Sequence, residues 1–242
     1  MNCWICGESA NTGEHRIKKS DLGLVFQNVS PEKPIYTKTE FGKFVKIGSL
    51  DSDRFKSRAK ICHHCNTTRS QPFDQAWKQL SKYLQANTKR LRIGDRISLH
   101  RVFPGSTKES MLNVHLYFLK IFGCLIIEHE IPTPIRPFSE AILNISEHSQ
   151  VYIGIGFLPK LRSKNIVQIS PVNTVFNNEE QLLHFASWQY IVKEAFVDVS
   201  FAHKPEYTRI LRNIWQPSGV TKILKLSDIR PITNPNFDDI FK

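Results

Sequence analysis

No uninterrupted apolar run in this 242-residue chain approaches the roughly 20 residues needed to cross a bilayer, and residues 1–20 contain no hydrophobic segment that would direct secretion. Internal repeats and low-complexity tracts are missing too, which excludes a repeat array. Acidic residues are few: 22 Asp and Glu stand against 33 Lys and Arg, a net charge of +11. Together these absences lead us to expect a soluble, cytoplasmic protein with no membrane partner. The remaining composition, 40% hydrophobic and 23% charged, is that of a globular chain long enough for one large or two modest domains.

Cysteine is also scarce, yet four of the five fall into two matched pairs, Cys3-x-x-Cys6 and Cys62-x-x-Cys65. Two thiolates separated by two residues can turn about one tetrahedral ion, and two such knuckles supply a closed four-sulfur shell, so the spacing predicts a structural Zn²⁺ site. A pair of disulfides is the alternative; the spacing and the absence of secretory features favour the metal. The 55 residues between Cys6 and Cys62 are too many for a structureless loop and must hold structure of their own. Cys124, inside the apolar residues 121–127, reads as a small buried hydrophobe.

The positive charge is concentrated in the part that carries these pairs. Residues 1–96 hold 18 Lys or Arg against 9 Asp or Glu, while the remainder holds 15 against 13. Neutralising phosphates releases counterions and dominates affinity, so nucleic acid, DNA in the first place, is the expected partner. A basic balance can also be a mere solubility property.

The chain divides near residues 88–106 on this reading, into residues 1–90 and 107–242. Residues 22–26 and 41–47 are apolar segments separated by Pro31 and Pro34, which predicts short strands in a small β-rich insert. Pro72 at a first-turn position, Asp74 near the positive end, and Phe73, Trp77, Leu80 and Leu84 at helical spacing predict a helix to about residue 85. Residues 108–128 predict a buried core helix, and residues 138–145 a short one after a proline-rich stretch. Residues 151–157, 166–176 and 188–202 read as strands, with a turn at residues 177–180. The fold class is α+β: a small zinc-stapled unit followed by an α+β domain whose antiparallel sheet packs on the long helix.

The order Cys3-Trp4-Ile5-Cys6-Gly7, then Glu14-His15-Arg16-Ile17, then Cys62-His63-His64-Cys65-Asn66, resembles the HNH endonuclease family, the ββα-metal nucleases, over about residues 1–85. The resemblance implies a metal-dependent endonuclease cutting DNA. It implies that Glu14 and Asn66 hold a catalytic divalent metal, Mg²⁺ or Mn²⁺, and that His15 deprotonates the attacking water. The residue types suit those roles, since a hard ion accepts Glu and Asn oxygens and an imidazole titrating near neutrality accepts a water proton. Successive strand residues point to opposite faces, so Glu14 and His15 can serve one site only if the backbone is bent or bulged there.

There is one departure: where many relatives carry an asparagine that orients the base, nine positions before the helix-start ligand, this chain has Ser57, a shorter hydrogen-bonding group. Asp51, Ser52 and Asp53 lie nearby as substitutes. Arg69, three residues after Asn66, is placed to reach a scissile phosphate, and Arg16, Lys18, Lys19, Arg58 and Lys60 would line the rim. His63 and His64 point to solvent or phosphate. Trp4 and Trp77 read as core. Two functions follow: an active HNH-type nuclease, or a zinc-stapled nucleic-acid-binding module whose centre has decayed. For residues 107–242 the expectation is recognition, regulation, a homo-oligomer contact or a partner protein; a restriction or phage-defence role would suit the family.

Overall fold

A computed structural model describes residues 1–38, 42–162, 164–177, 182–211, 214–217 and 222–227. In order these form β1 (Thr12–His15), α1 (Lys19–Val25), β2 (Ile35–Lys38), β3 (Phe44–Ile47), β4 (Lys56–Ile61), a π-helical turn at Cys65–Arg69, α2 (Gln71–Asn87), β5 (Arg96–Ser98), α3 (Leu99–Val102), α4 (Thr107–Glu128) and α5 (Arg136–Leu143). Then come β6 (Val151–Phe157), β7 (Val167–Ile169), β8 (Asn173–Asn177), β9 (Leu182–Val192), β10 (Ala195–Ala202), β11 (Ile214–Trp215) and β12 (Ile223–Lys225). The class is α+β, as the sequence suggests.

β1 pairs antiparallel with β4, and the chain between them returns as the β2–β3 hairpin. Its inner residues Ile35, Val45 and Ile47 pack on Leu22 and Phe55 to make a small separate core. α2 follows β4 through the π-turn and buries Phe73, Ala76, Trp77, Leu80 and Leu84, the stripe its spacing predicts. The second half is a six-stranded antiparallel sheet in the order β11-β6-β10-β9, with β7 and β8 both on the outer edge of β9. Phe118 and Phe122 of α4 meet Trp188 of β9, and Phe118 also meets Trp77 and Tyr190, so sheet, α4 and α2 share aromatic contacts.

α4 has the length and apolar composition of a membrane span, but 83% of its apolar window is buried within the protein. Lys120 lies in its middle, so its character is that of a core helix. Trp4, inside the first cysteine knuckle, lies so close to α4 that a Cβ on Gly123 would sit 2.3 Å from its ring. One hydrophobic core accordingly runs from Cys3 through Trp77 and Phe118 to Leu226, and the described residues before 90 and from 107 to 227 pack on each other across it.

Several expectations give way. Residues 22–26 are not a strand: α1 forms there because Asp21, fully buried, turns inward and accepts hydrogen bonds from Trp77 Nε1 (2.7 Å), Ser81 Oγ (2.8 Å) and Tyr190 Oη (2.7 Å). An apolar run of five is too short for periodicity to separate helix from strand. Residues 188–202 are two strands, turned at Lys193 with a positive φ of 52°. Residues 166–176 likewise hold both β7 and β8. Of the turn expected at residues 177–180, positions 178–180 lie outside the described residues, as does Phe41 of the expected strand at 41–47.

Candidate functional site

The first knuckle is tied by Gly7 N donating to Cys3 O (2.8 Å) and Cys3 N to Glu8 O (2.7 Å), with Gly7 at φ +83° where a side chain would be strained. The second runs into the π-turn, where Cys65 N donates to Cys62 Sγ (3.4 Å). The four sulfurs lie within 4.8 Å of one another, with Cys6 and Cys62 3.5 Å apart, and all five cysteines are unbridged. A tetrahedral thiolate shell with Zn–S bonds of about 2.3 Å needs sulfurs at about that separation, so the four-cysteine cluster is compatible with zinc.

Glu14, His15 and Asn66 line one cavity of about 660 Å³, together with Lys18, Lys19, Ser20, Thr67, Thr68, Gln71, Asp74, Gln75, Lys78 and Tyr117. The strand geometry accounts for both neighbours facing it. Gly13 pairs with Lys60 but His15 pairs with Lys56, so Glu14 alone opposes Ser57, Arg58 and Ala59 across a bulge. A Cβ on Gly13 would sit 3.1 Å from the Ser57 carbonyl oxygen, so residue 13 is pressed against the bulged strand. The π-turn brings Asn66 over the end of β1, where its Nδ2 donates to Thr12 Oγ1 (3.1 Å) and Gly13 O (3.5 Å). Inserted turns of this kind recur at functional sites.

Behind the cavity sits a residue that the sequence reading passes over. Lys120 of α4 is fully buried, and its ammonium lies 2.9 Å from Glu14 Oε2, 3.7 Å from Asp74 Oδ2 and 3.0 Å from Ser70 Oγ, to which it donates. Burial alone would lower its pKa, but the Glu14 and Asp74 carboxylates outweigh this and raise it. Burial pushes the Glu14 carboxyl up, against the pull of Lys120. Lys18 pairs with Asp74 from the cavity side and lies 5.4 Å from the centre of the Tyr117 ring. A lone lysine in an apolar helix was the available signal, because such a charge is buried only with a partner.

His15 has its pKa lowered by burial and by the Lys56 ammonium, which favours the neutral imidazole. Its Nδ1 is buried and makes no hydrogen bond of ordinary geometry. Ser57 does not orient it: Ser57 Oγ donates to Glu128 Oε2 (2.7 Å) and accepts from Ala59 N (3.1 Å). The bulge turns position 57 away from His15 and towards the end of α4, where Glu128 also meets Arg16 (3.5 Å) and Arg58 (3.2 Å). Arg69 is likewise not at the cavity, since its Nη1 donates to Cys65 Sγ (2.9 Å). Asp51 pairs with Lys19 (2.5 Å) and Asp53 with Lys56 (2.7 Å), so neither takes the place expected for a substitute base partner.

Comparison of the chain with protein-family models, curated proteins and solved structures finds no match.

Proposed function

We propose that this protein is a metal-dependent phosphodiesterase of the HNH type that cuts DNA. The observation behind this reading is the convergence of Glu14, His15 and Asn66 on one cavity, from segments 51 positions apart in the chain, through a strand bulge and a π-turn. The Glu14 carboxylate and the Asn66 amide oxygen are hard donors that would hold Mg²⁺ or Mn²⁺, and such an ion offsets charge developing on a phosphate and orients water. His15, kept neutral, accepts the proton of the attacking water. Lys120 fixes Glu14 from behind, and Lys78, with Lys18 and Lys19 in their pairs with Asp74 and Asp51, supplies the cationic side chains that would meet the phosphate backbone. Zn²⁺ in the four-cysteine cluster would hold the two segments together and take no part in the reaction. Residues 107–242 serve this site as its buttress, through Lys120, Tyr117 and Glu128.

Plasmid DNA incubated with the protein and Mg²⁺ or Mn²⁺ should be nicked, and His15→Ala should lower the rate by about two orders of magnitude or more while bound zinc is unchanged. Equal activity in that variant would refute the assignment of the base.

A second reading rests on the diversion of Ser57 to Glu128, away from His15: a zinc-stapled module that binds nucleic acid without cutting it. Salt-sensitive binding with no cleavage under either metal would select it.

A further inference from the structure

The β2–β3 hairpin shows its two faces to different surroundings. Ile35, Val45 and Ile47 point inward, while Tyr36 and Phe44 on the other face are 63% and 72% exposed. The cross-strand pairs are Tyr36 with Lys46 and Lys38 with Phe44, so the outward face alternates ring and ammonium in both directions, and both lysines are exposed. Residues 32–47 contain four lysines, Lys33, Lys38, Lys43 and Lys46, against two acids, Glu32 and Glu40. The hairpin is anchored through Leu22 of α1, and residues 18–20, at the start of that element, line the cavity.

We propose that this outward face docks unpaired nucleotides of a nucleic acid strand. Charge complementarity favours an anionic partner over a basic or apolar one, since the face carries Lys38 and Lys46 within residues 1–96, where 18 Lys or Arg stand against 9 Asp or Glu. The rings then separate the two forms of nucleic acid. In a duplex the base faces are covered by stacking, and lysines alone would serve to hold it; rings beside lysines fit a strand whose base faces are open. Each base stacks on a ring and the flanking phosphates meet Lys38 and Lys46. Two large exposed aromatics on a two-stranded ribbon are otherwise an aggregation hazard. The proposal adds a substrate form to the nuclease reading and rests on that reading only for what happens to the strand afterwards.

The test is fluorescence anisotropy of the 242-residue chain with a labelled oligothymidine strand and with a labelled duplex, across a salt series. Tyr36→Ala combined with Phe44→Ala should weaken strand binding about tenfold or more, with an unchanged salt slope and an unchanged melting temperature. Lys38→Gln combined with Lys46→Gln should weaken it with a shallower salt slope, by about 0.7 for each phosphate no longer neutralised. His15→Ala should bind as tightly as the parent, so loss of cleavage and loss of docking are told apart. Unchanged strand affinity in the aromatic variant would overturn the proposal, as would equal losses on strand and duplex. So would a concentration-dependent dimer that the aromatic variant abolishes, since the face would then belong to a second copy of the chain.

Discussion

The four-sulfur cluster and the Glu14–His15–Asn66 cavity are built from the same two stretches of chain, residues 1–15 and 62–66, yet they are supported in opposite ways. The sulfurs are placed by local turns: each knuckle closes on itself through backbone hydrogen bonds, and the ligand spacing alone defines the geometry. The cavity depends on distant residues. Its carboxylates are backed by Lys120 and its wall completed by Tyr117, both from α4, while Asp21 beside it is bonded to Tyr190 of β9. A four-cysteine cluster compatible with zinc can thus be set by short turns, whereas a cavity with buried charge draws its counter-charge from elsewhere in the fold.

Removing the local support should have the larger effect. Cys62→Ser, or extraction with a chelator, is expected to release the metal and to give the steepest fall in melting temperature, because binding of structural zinc is itself folding free energy. Calorimetry with metal analysis measures both; a stable metal-free protein would show that the sulfurs do not staple the fold.

Removing the distant support comes next. Lys120→Met leaves Glu14 and Asp74 without their buried cation and should cost roughly 3–5 kcal/mol. Combining it with Glu14→Gln should restore part of the stability, seen as a higher urea midpoint than in Lys120→Met, without restoring cleavage. Full recovery of cleavage in the pair would separate Glu14 from the chemistry.

Acid should weaken the α4 side in particular. Burial holds His115 of α4 at about 3 and His148, whose backbone N–H donates to His115 Nε2, at about 4. Both lie below the ordinary 6.5 of the unfolded chain, so their contribution is complete above pH 6.5 and is lost as pH falls towards the folded values. The loss is roughly 1.4 kcal/mol per pH unit for each histidine. His115→Gln should flatten the fall in urea midpoint between about pH 6.5 and pH 5; an unchanged slope would place the acid sensitivity elsewhere.

The smallest effect is expected at Ser57. Ser57→Ala removes one of several bonds to Glu128, which keeps Arg16 and Arg58, and should cost about 0.5–1.5 kcal/mol, while the cleavage rate of the folded fraction stays the same. A selective loss of rate would return Ser57 to the orienting role that its position in the sequence suggests.

What could be read in advance divides along the same line. The cysteine spacing, the stripe of α2 and the apolar length of α4 are local patterns, and the structure follows them closely. Lys120 is flagged by the sequence as a lone charge in an apolar helix, but its partners Glu14 and Asp74 appear only when α4 lies against β1 and α2. The sequence places Ser57 nine positions before Asn66, and the bulge between Gly13 and His15 shifts that register. The same bulge was legible as a requirement, since adjacent Glu14 and His15 could reach one site in no other way. The helix α1 was lost to a tertiary cause, the buried Asp21 with its three donors, which no window of five residues displays.

On the proposed reading Glu14 and Asn66 would hold a divalent metal beside the four-cysteine cluster. Crystals soaked in Mn²⁺ and examined by anomalous scattering should give two separate peaks, one among Cys3, Cys6, Cys62 and Cys65 and one between the Glu14 carboxylate and the Asn66 amide oxygen. A single peak at the sulfurs, with Glu14 still bound only to Lys120, would contradict it.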